Sequence, residues 1–506
     1  MHRSIAVVGG GPGGLFFSAL MKARRPDWSV TLFERNRADD AFGFGVVFSD
    51  ATLEKIAAAD SVLTDALREH GTHWDTIDVV AKGEVRSFSG NGMAAIHRKT
   101  LLRLLQEKAA GAGVDLRFAS QVGRLADLRE YDVVVAADGA NSRLRSEVGE
   151  AALGHAVDEA TATFIWFGTD HMFDGLTFLH RRSEHGNFAV HAYPISPDVS
   201  TFIVETDAET WAAAGLDEFD VTQPPGPSDE RTRAYLTELF AEELDGGQLL
   251  TNNSRWGNFR TRSSSTWHAG NVAFLGDAVH TAHFSVGSGT KMAMEDAIAL
   301  ADALDAHGDD DGDAGPAEAF AAYEAAAQPS VRRVQDAAGP SLAWWEHFGE
   351  YHEALEPWQF AFHFFSRSIP LRKIRRRDPA FAQAVEEKWR ATHGAEPLAT
   401  PFTIGEQEVP GRLLRRTGAG LAHADGALID ESGVVVVDLD APGEQPDTAA
   451  AAAIVVTGGS ARERIRAAER RALASVIPVL LDLPDADDDE AATMVLSGRA
   501  DAVIVR

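Results

Sequence analysis

Cysteine is absent from the sequence. That one absence excludes disulfides, thiolate metal sites and cysteine nucleophiles together, and it fits a reducing compartment. Cations are scarce: 47 Lys and Arg stand against 76 Asp and Glu, a formal net charge of −29. Such a balance argues against nucleic acid or an anionic membrane as the main partner, while a small anionic ligand remains open wherever basic residues cluster. No apolar run reaches the length of a membrane span. The N-terminal MHRSIAVVGGG enters a strand and a glycine loop directly, without the pattern of a secretory signal, so a cytoplasmic protein is expected. No metal centre is expected. The 506 residues suffice for two or three domains with a substantial core.

The stretch SIAVVGGGPGGLFFSALMKARRPDWSVTLFER reads as strand, tight turn, helix, strand. Gly9, Gly11 and Gly14 form GxGxxG, with Pro12 and Gly13 between them. Gly9 permits the turn, Gly11 lets a pyrophosphate approach the backbone, and Gly14 lets helix and strand pack closely. The helix N-terminus supplies free N–H groups for phosphate. Glu34 ends the second strand, followed by Arg35, where a carboxylate can accept hydrogen bonds from ribose hydroxyls. The combination predicts a dinucleotide site.

Two further stretches belong beside it. YDVVVAADGANSRLRSEVG (131–149) is a buried strand ending in Asp138-Gly139 and then a basic helix start. NVAFLGDAVHTAHFSVGSGTKMAMEDAIALADAL (271–304) is a strand, Asp277, a loop of small residues and an apolar helix. Together the three resemble the nucleotide-contact segments of FAD-dependent aromatic hydroxylases, the flavoprotein monooxygenases folded like p-hydroxybenzoate hydroxylase. The resemblance implies an α/β fold: a Rossmann-like FAD-binding domain, an inserted antiparallel sheet and a helical segment. It also implies that Asp277 holds a ribityl hydroxyl and that Gly287, Gly289 and Thr290 face the flavin. Arg98, opening a helix in GMAAIHRKTLLRLLQEKA, would lie near the pyrophosphate, and Val122 and Asp138 would add nucleotide contacts.

The sequence departs from that family in one place. Where the third motif usually carries two prolines and an asparagine, it has His283, Phe284 and Lys291, which changes the wall where oxygen is transferred. This variant, with FGFGVVFSDATLEKI (42–56), resembles a narrower group, the hydroxylases of aryl-CoA thioesters. Those include salicylyl-CoA 5-hydroxylase and the monooxygenase half of 2-aminobenzoyl-CoA monooxygenase/reductase. Gly45, Val46 and Val47 would then pass their backbone over the flavin. The chemistry implied is reduction of FAD by NADH or NADPH, addition of O2 to give a C4a-hydroperoxide, and attack of its distal oxygen on an electron-rich ring. Salicylyl-CoA hydroxylated at ring carbon 5 is the expected reaction. With no second GxGxxG, the nicotinamide is expected to bind transiently.

Residues 160–206 hold short aromatic-rich alternating runs, ATFIWFG, LTFLHR, NFAVHAYPI and TFIVETD, read as an antiparallel sheet. Trp166, His180 and Tyr193 are expected to line a substrate pocket. His191 and His283 are candidates for removing a phenolic proton, with Phe284 beside them. RSIPLRKIRRRDP (367–379) concentrates Arg372, Arg375 and Arg376, either a solvated basic face or a dock for coenzyme A phosphates. The expected division is 1–155 for the first FAD-binding part, with inserted elements near 60–95, then 156–265 for the substrate sheet. It continues with 266–395 for the second FAD part with aromatic helices, and 396–506 for a short α/β module resembling a shortened old-yellow-enzyme-like barrel. A homodimer stays open. Three rivals remain at this level: a tailoring hydroxylase of a free or carrier-tethered aromatic, a halogenase, and a non-catalytic flavin-binding protein. The halogenase lacks support because no Trp-x-Trp-x-Ile-Pro segment is present.

Overall fold

The computed structural model describes residues 3–41, 43–50, 53–220, 226–307, 314–443 and 446–506. Phe42, Ala51 and Thr52 of the 42–56 segment therefore lie outside the described residues. The chain divides into two units, Met1–Ile77 with Asn91–Glu346, and Asp78–Gly90 with His347–Arg506.

The first unit runs β1 (Ser4–Val8), α1 (Pro12–Arg24), β2 (Ser29–Phe33), β3 (Gly45–Ser49), β4 (Met93–His97), α2 (Arg98–Ala112), β5 (Asp115–Arg117), β6 (Val133–Ala136), β7 (Ala156–Thr169), β8 (Leu176–Arg182), β9 (Asn187–Pro194), β10 (Ser200–Thr206), β11 (Gly257–Ser263), β12 (Val272–Phe274), α3 (Gly289–His307) and α4 (Ala314–Trp345), with short elements between. Its first sheet has the order β12–β6–β1–β2–β5, all parallel, with His268–Ala269 antiparallel at the β12 edge. Strands of such a sheet are covered on both faces and therefore read as continuous apolar runs, as Ile5–Val8 and Val133–Ala136 do. α1 and α3 bury Phe16, Met21, Met294 and Leu300 in the same core.

The second sheet is antiparallel, β7–β10–β9–β8, with β11 and Leu249–Leu250 both paired to β7. Its register decides which side chains share a face. Trp166, Ile203, His191 and Phe178 lie opposite one another in one row across four strands. Phe164, Glu205, Ala189 and His180 form the adjacent row, and Gly168, Thr201 and Tyr193 the row on the other side. Since side chains alternate along a strand, these three rows form one face.

The second unit carries α5 (Leu371–Arg377), α6 (Pro379–His393), β13 (Leu413–Thr417), β14 (Gly420–His423), β15 (Val434–Asp438), β16 (Ala453–Thr457), α7 (Ala461–Ala474), β17 (Val479–Asp482), α8 (Asp488–Leu496) and β18 (Ala502–Val505). Its sheet order is β14–β13–β18–β17–β16–β15, parallel except where β14 folds back on β13. The sheet is open, ending in β14 and β15, rather than closed on itself.

Four polar groups are buried together in this unit. Glu469 of α7 accepts from the Tyr351 hydroxyl at 2.8 Å, pairs with Arg499 Nε at 2.9 Å and lies 2.8 Å from His363 Nε2. Burial alone would push the Glu469 carboxyl up; His363, Arg499 and Tyr351 outweigh it and bring it to about 2. Burial, reinforced by Arg499 and opposed by Glu469, brings His363 down to about 4, and Arg499 is the permanent counter-ion of the carboxylate. Removing one partner strands the others, which typically costs about 3–5 kcal/mol. Glu469→Ala is therefore expected to lower the melting temperature by on the order of 10 °C, read by calorimetry. An unchanged transition would mean that water replaces the carboxylate.

Candidate active site

Gly9 has φ +114, and a Cβ there would stand 2.1 Å from the Ala137 oxygen. A Cβ on Gly14 would stand 2.2 Å from the Gly9 oxygen. The loop between β1 and α1 is thus closed against β6 as well as against its own helix. Gly11 is different, because a Cβ there would meet nothing within 4 Å. The start of α1 has no side-chain cap and Pro12 at its first turn, which leaves backbone donors open to an anion. Glu34 stands at the end of β2, where its Oε2 accepts from Gly10 N at 2.7 Å and its Oε1 from Asn36 N at 2.8 Å.

Asp138 follows β6. Its Oδ2 caps the next turn, accepting from Arg143 N at 2.8 Å, while its Oδ1 is buried with no partner. Arg145, buried, ties this segment to the third motif by donating to the Ala278 and Ala140 carbonyls at 2.7 and 2.9 Å. The third motif is held from behind by Asp296 of α3, which accepts from Gly276 N at 2.9 Å and contacts His280 Nε2 at 2.6 Å. Asp277, between these anchors, points its side chain to an accessible place. Yet surrounding protein pushes its carboxyl up, against opposition from His280, Arg98 and Arg262. A group both accessible and poorly hydrated sits in a cleft. Burial likewise pushes Arg98 down, with Asp277 and Tyr193 opposing, so these three share one electrostatic neighbourhood. Burial raises the Tyr193 hydroxyl to about 12, despite Thr201 and Arg98.

β3 runs over this cleft. A Cβ on Gly45 would stand 2.2 Å from Ile195 Cγ2, and one on Gly287 would stand 3.2 Å from Val47 Cγ1. The open glycine, the uncapped helix start, the half-satisfied Asp138 and the accessible Asp277 fit a dinucleotide laid from Gly11 to Gly287. Gly13 packs α1 on α3, where a Cβ would stand 3.0 Å from the Ala293 oxygen. Gly289 and Thr290 open α3, and Val46 packs against the core. Arg35 is exposed, and Val122 packs against the first sheet's core.

The aromatic face of the second sheet holds a second centre. Glu205, only 2% exposed, lies between two imidazoles: His191 Nε2 is 2.7 Å from its Oε2, and His283 Nε2 is 3.3 Å from its Oε1. Burial pushes this carboxyl up, but the two histidines, by charge and hydrogen bond, bring it to about 2. An ionised carboxylate only accepts, so both imidazoles must carry a proton at Nε2. His283 Nδ1 is then the acceptor for the Ser285 hydroxyl at 2.8 Å, and Ser285 continues to Ser341 of α4 at 2.9 Å. Phe284 lies among these groups, with ring centroids 4.3 Å from His283, 5.3 Å from His191, 4.9 Å from Phe164 and 6.4 Å from Trp166. Trp345 closes on His191 at 4.2 Å and stacks on His180 at 5.8 Å.

The structure thus brings His191, His283, Phe284 and Trp166 together, with Tyr193 two residues along β9 from His191. His180 stands one row away. Arg372 and Arg375 belong to the second unit, where they are met by acids: Arg372 by Asp487 and Glu490, Arg375 by Glu386 and Asp489. Arg376 is exposed. Glu205 was not anticipated. In TFIVETD it alternates with Thr201 and Ile203, but Asp207 does so too, and nothing within the run singles Glu205 out.

Residues 2–338 match the family described as FAD binding domain. The chain is 50% identical over 520 residues to a salicyloyl-CoA 5-hydroxylase of a Streptomyces species, covering 99% of each chain. It is 37% identical to a 3-hydroxy-4-methyl-anthranilyl-[aryl-carrier protein] 5-monooxygenase of Streptosporangium sibiricum, over 67% of this chain and 88% of that one. Among solved structures, a 2-methyl-3-hydroxypyridine-5-carboxylic acid oxygenase superposes with TM-score 0.53 at 20% identity, over 68% of this chain and 93% of its own, a likeness of fold.

Proposed function

The chain belongs to the FAD binding domain family and is an FAD-dependent aromatic monooxygenase, and from that premise we propose that it hydroxylates an aryl-CoA thioester, salicyloyl-CoA, at ring carbon 5. The observation that carries the reading is the buried Glu205 bridging His191 and His283 beside Phe284. The 50% identity to a salicyloyl-CoA 5-hydroxylase, running through both units, supports the substrate.

Bound FAD, once reduced by NADH or NADPH, supplies with O2 an electrophilic oxygen atom. The residues of this chain would hold the cofactor at Gly9–Gly14, Glu34, Asp138, Arg98, Asp277 and the Gly287–Thr290 loop. What the protein adds is an activated ring. A phenol becomes a strong nucleophile, mainly ortho and para to its oxygen, once its proton is removed; in salicyloyl-CoA carbon 5 is para to the hydroxyl. His191 would take that proton, and Glu205 would hold the resulting imidazolium in a site too dry for water to do so. His283, Ser285 and Ser341 continue the path by which the charge is relaxed. Phe164, Trp166, Phe284 and Trp345 exclude water and bracket the ring.

The test is NADH oxidation and O2 uptake by the FAD-loaded enzyme with salicyloyl-CoA and with free salicylate, with products followed by mass spectrometry. Thioester-dependent oxidation giving a product heavier by one oxygen is the expected result. Equal activity on free salicylate would refute thioester specificity. Because one relative is named for a carrier-bound aryl group, salicyl-carrier protein is the second substrate to offer; preference for it would shift the reading from CoA to a carrier.

A further inference from the structure

β3, the start of α3 and the middle of α4 enclose a cavity of about 370 Å³ in the first unit. It shares Val47 and Gly287 with the flavin cleft, but its other walls are its own. Lys291 and Arg333 line it from two different helices, and Ser49, Ser288 and Ser330 add hydroxyls. None of its described lining residues is acidic, in a chain with an excess of 29 negative charges. Arg333 is exposed and carries no ion pair among the described residues. Lys291 is held by Glu295 at 3.0 Å, which fixes its ammonium while leaving it other donors. Ser288 is 7% exposed, and its hydroxyl oxygen has no partner. A buried hydroxyl left unpaired costs free energy that a bound acceptor would recover.

Two cations, an unsatisfied hydroxyl and apolar flanks from Val47 and Val334 suit a phosphorylated tail more than an aromatic ring. The volume is at the low end of the range of roughly 300–1,000 Å³ for small-molecule sites, on the scale of one nucleotide and too small for a whole coenzyme. We propose that this cavity binds the adenosine diphosphate portion of a ligand whose reactive end reaches the flavin. Two ligands carry that chemistry, the CoA thioester and the reduced nicotinamide. Which of them enters rests on the hydroxylase reading above; the anion site itself does not.

The experiment uses FAD-loaded protein, so that the probe cannot enter the flavin site. ADP is titrated calorimetrically into wild type, Arg333→Ala and Lys291→Gln at two salt concentrations. Each variant is expected to bind ADP about tenfold more weakly, with a shallower salt dependence, for the loss of a charge-assisted contact. Flavin content and circular dichroism check that the variants are folded; Arg333, being exposed, can be changed without disturbing the core. In steady state, a roughly tenfold rise in KM for salicyloyl-CoA alone identifies CoA as the source. A rise in KM for NADH or NADPH alone identifies the nicotinamide. Wild type that binds no ADP, or variants that bind it as wild type does, overturn the proposal. An enzyme that oxidises no nicotinamide with any thioester refutes the hydroxylase reading, and the ADP titration still decides the cavity.

Discussion

Glu205→Gln lowers kcat by about 100- to 1,000-fold while the protein still carries its flavin, the range expected when positioned proton transfer is lost. The carboxylate accepts from both imidazoles at once; an amide accepts at its oxygen and donates at its nitrogen. One histidine must then present a lone pair at Nε2 and carry its proton at Nδ1. For His283 that nitrogen already faces the Ser285 hydroxyl, so the change propagates along the chain to Ser341. The measurement is kcat against pH at saturating substrate. Residual activity of Glu205→Gln should climb as pH rises, because solvent then supplies the phenolate that the enzyme no longer makes. A merely structural carboxylate would give a uniform loss with an unchanged profile, and activity within about threefold of wild type would end the proton-path reading. Stability gives a second readout. The Glu205 carboxyl is held at about 2 in the fold, below its ordinary value of 4.5. Its contribution is therefore complete above that ordinary value and is lost as pH falls toward about 2. Wild type should exceed Glu205→Gln in stability at neutral pH, and the two should converge in acid.

Gly14→Val yields protein that does not retain FAD. The Cβ alone would stand 2.2 Å from the Gly9 oxygen, and a branched side chain has no rotamer that avoids the turn. Either α1 moves away from β1, carrying the open N–H groups with it, or the Gly9–Gly11 turn deforms. Both remove the phosphate cradle, and affinity for FAD should fall more than about 100-fold, the loss of several charge-assisted contacts at once. The ratio of flavin to protein absorbance after gel filtration reads the outcome. Gly11→Ala is the control for shape: its Cβ meets no protein atom, so any loss there reflects the ligand's need for that space. Full flavin content in Gly14→Val would mean that the dinucleotide does not lie on this turn.

The parts of the site that were legible in the sequence are those set by neighbours in the chain. GxGxxG and Glu34 sit within one strand–helix–strand unit. The alternation in 160–206 put Trp166, His180, His191 and Tyr193 on one face, because side-chain direction in a strand has period two. His283 was legible as a departure from a motif. What escaped was set by pairing across distance. Glu205 matters because β9 and β10 bring it to His191 and a loop brings it to His283; nothing beside it in TFIVETD announces either. Asp296 is one acid in an apolar helix until it is seen to hold Gly276 and His280. The arginines of α5 read in sequence as either a solvated face or a phosphate dock, and Asp487, Asp489 and Glu490 return to meet two of them from the far end of the chain.

α4 holds Arg333 at the anion cavity, Ser341 at the end of the proton chain and Trp345 against His191. It also contains Pro329 and Pro340, each next to one of the serines in question. A proline inside a helix removes a backbone hydrogen bond and bends the axis. Arg333, Ser341 and Trp345 are thus carried by one helix whose ladder lacks the bonds that Pro329 and Pro340 cannot donate, so the same element lines the cavity and backs the buried histidines.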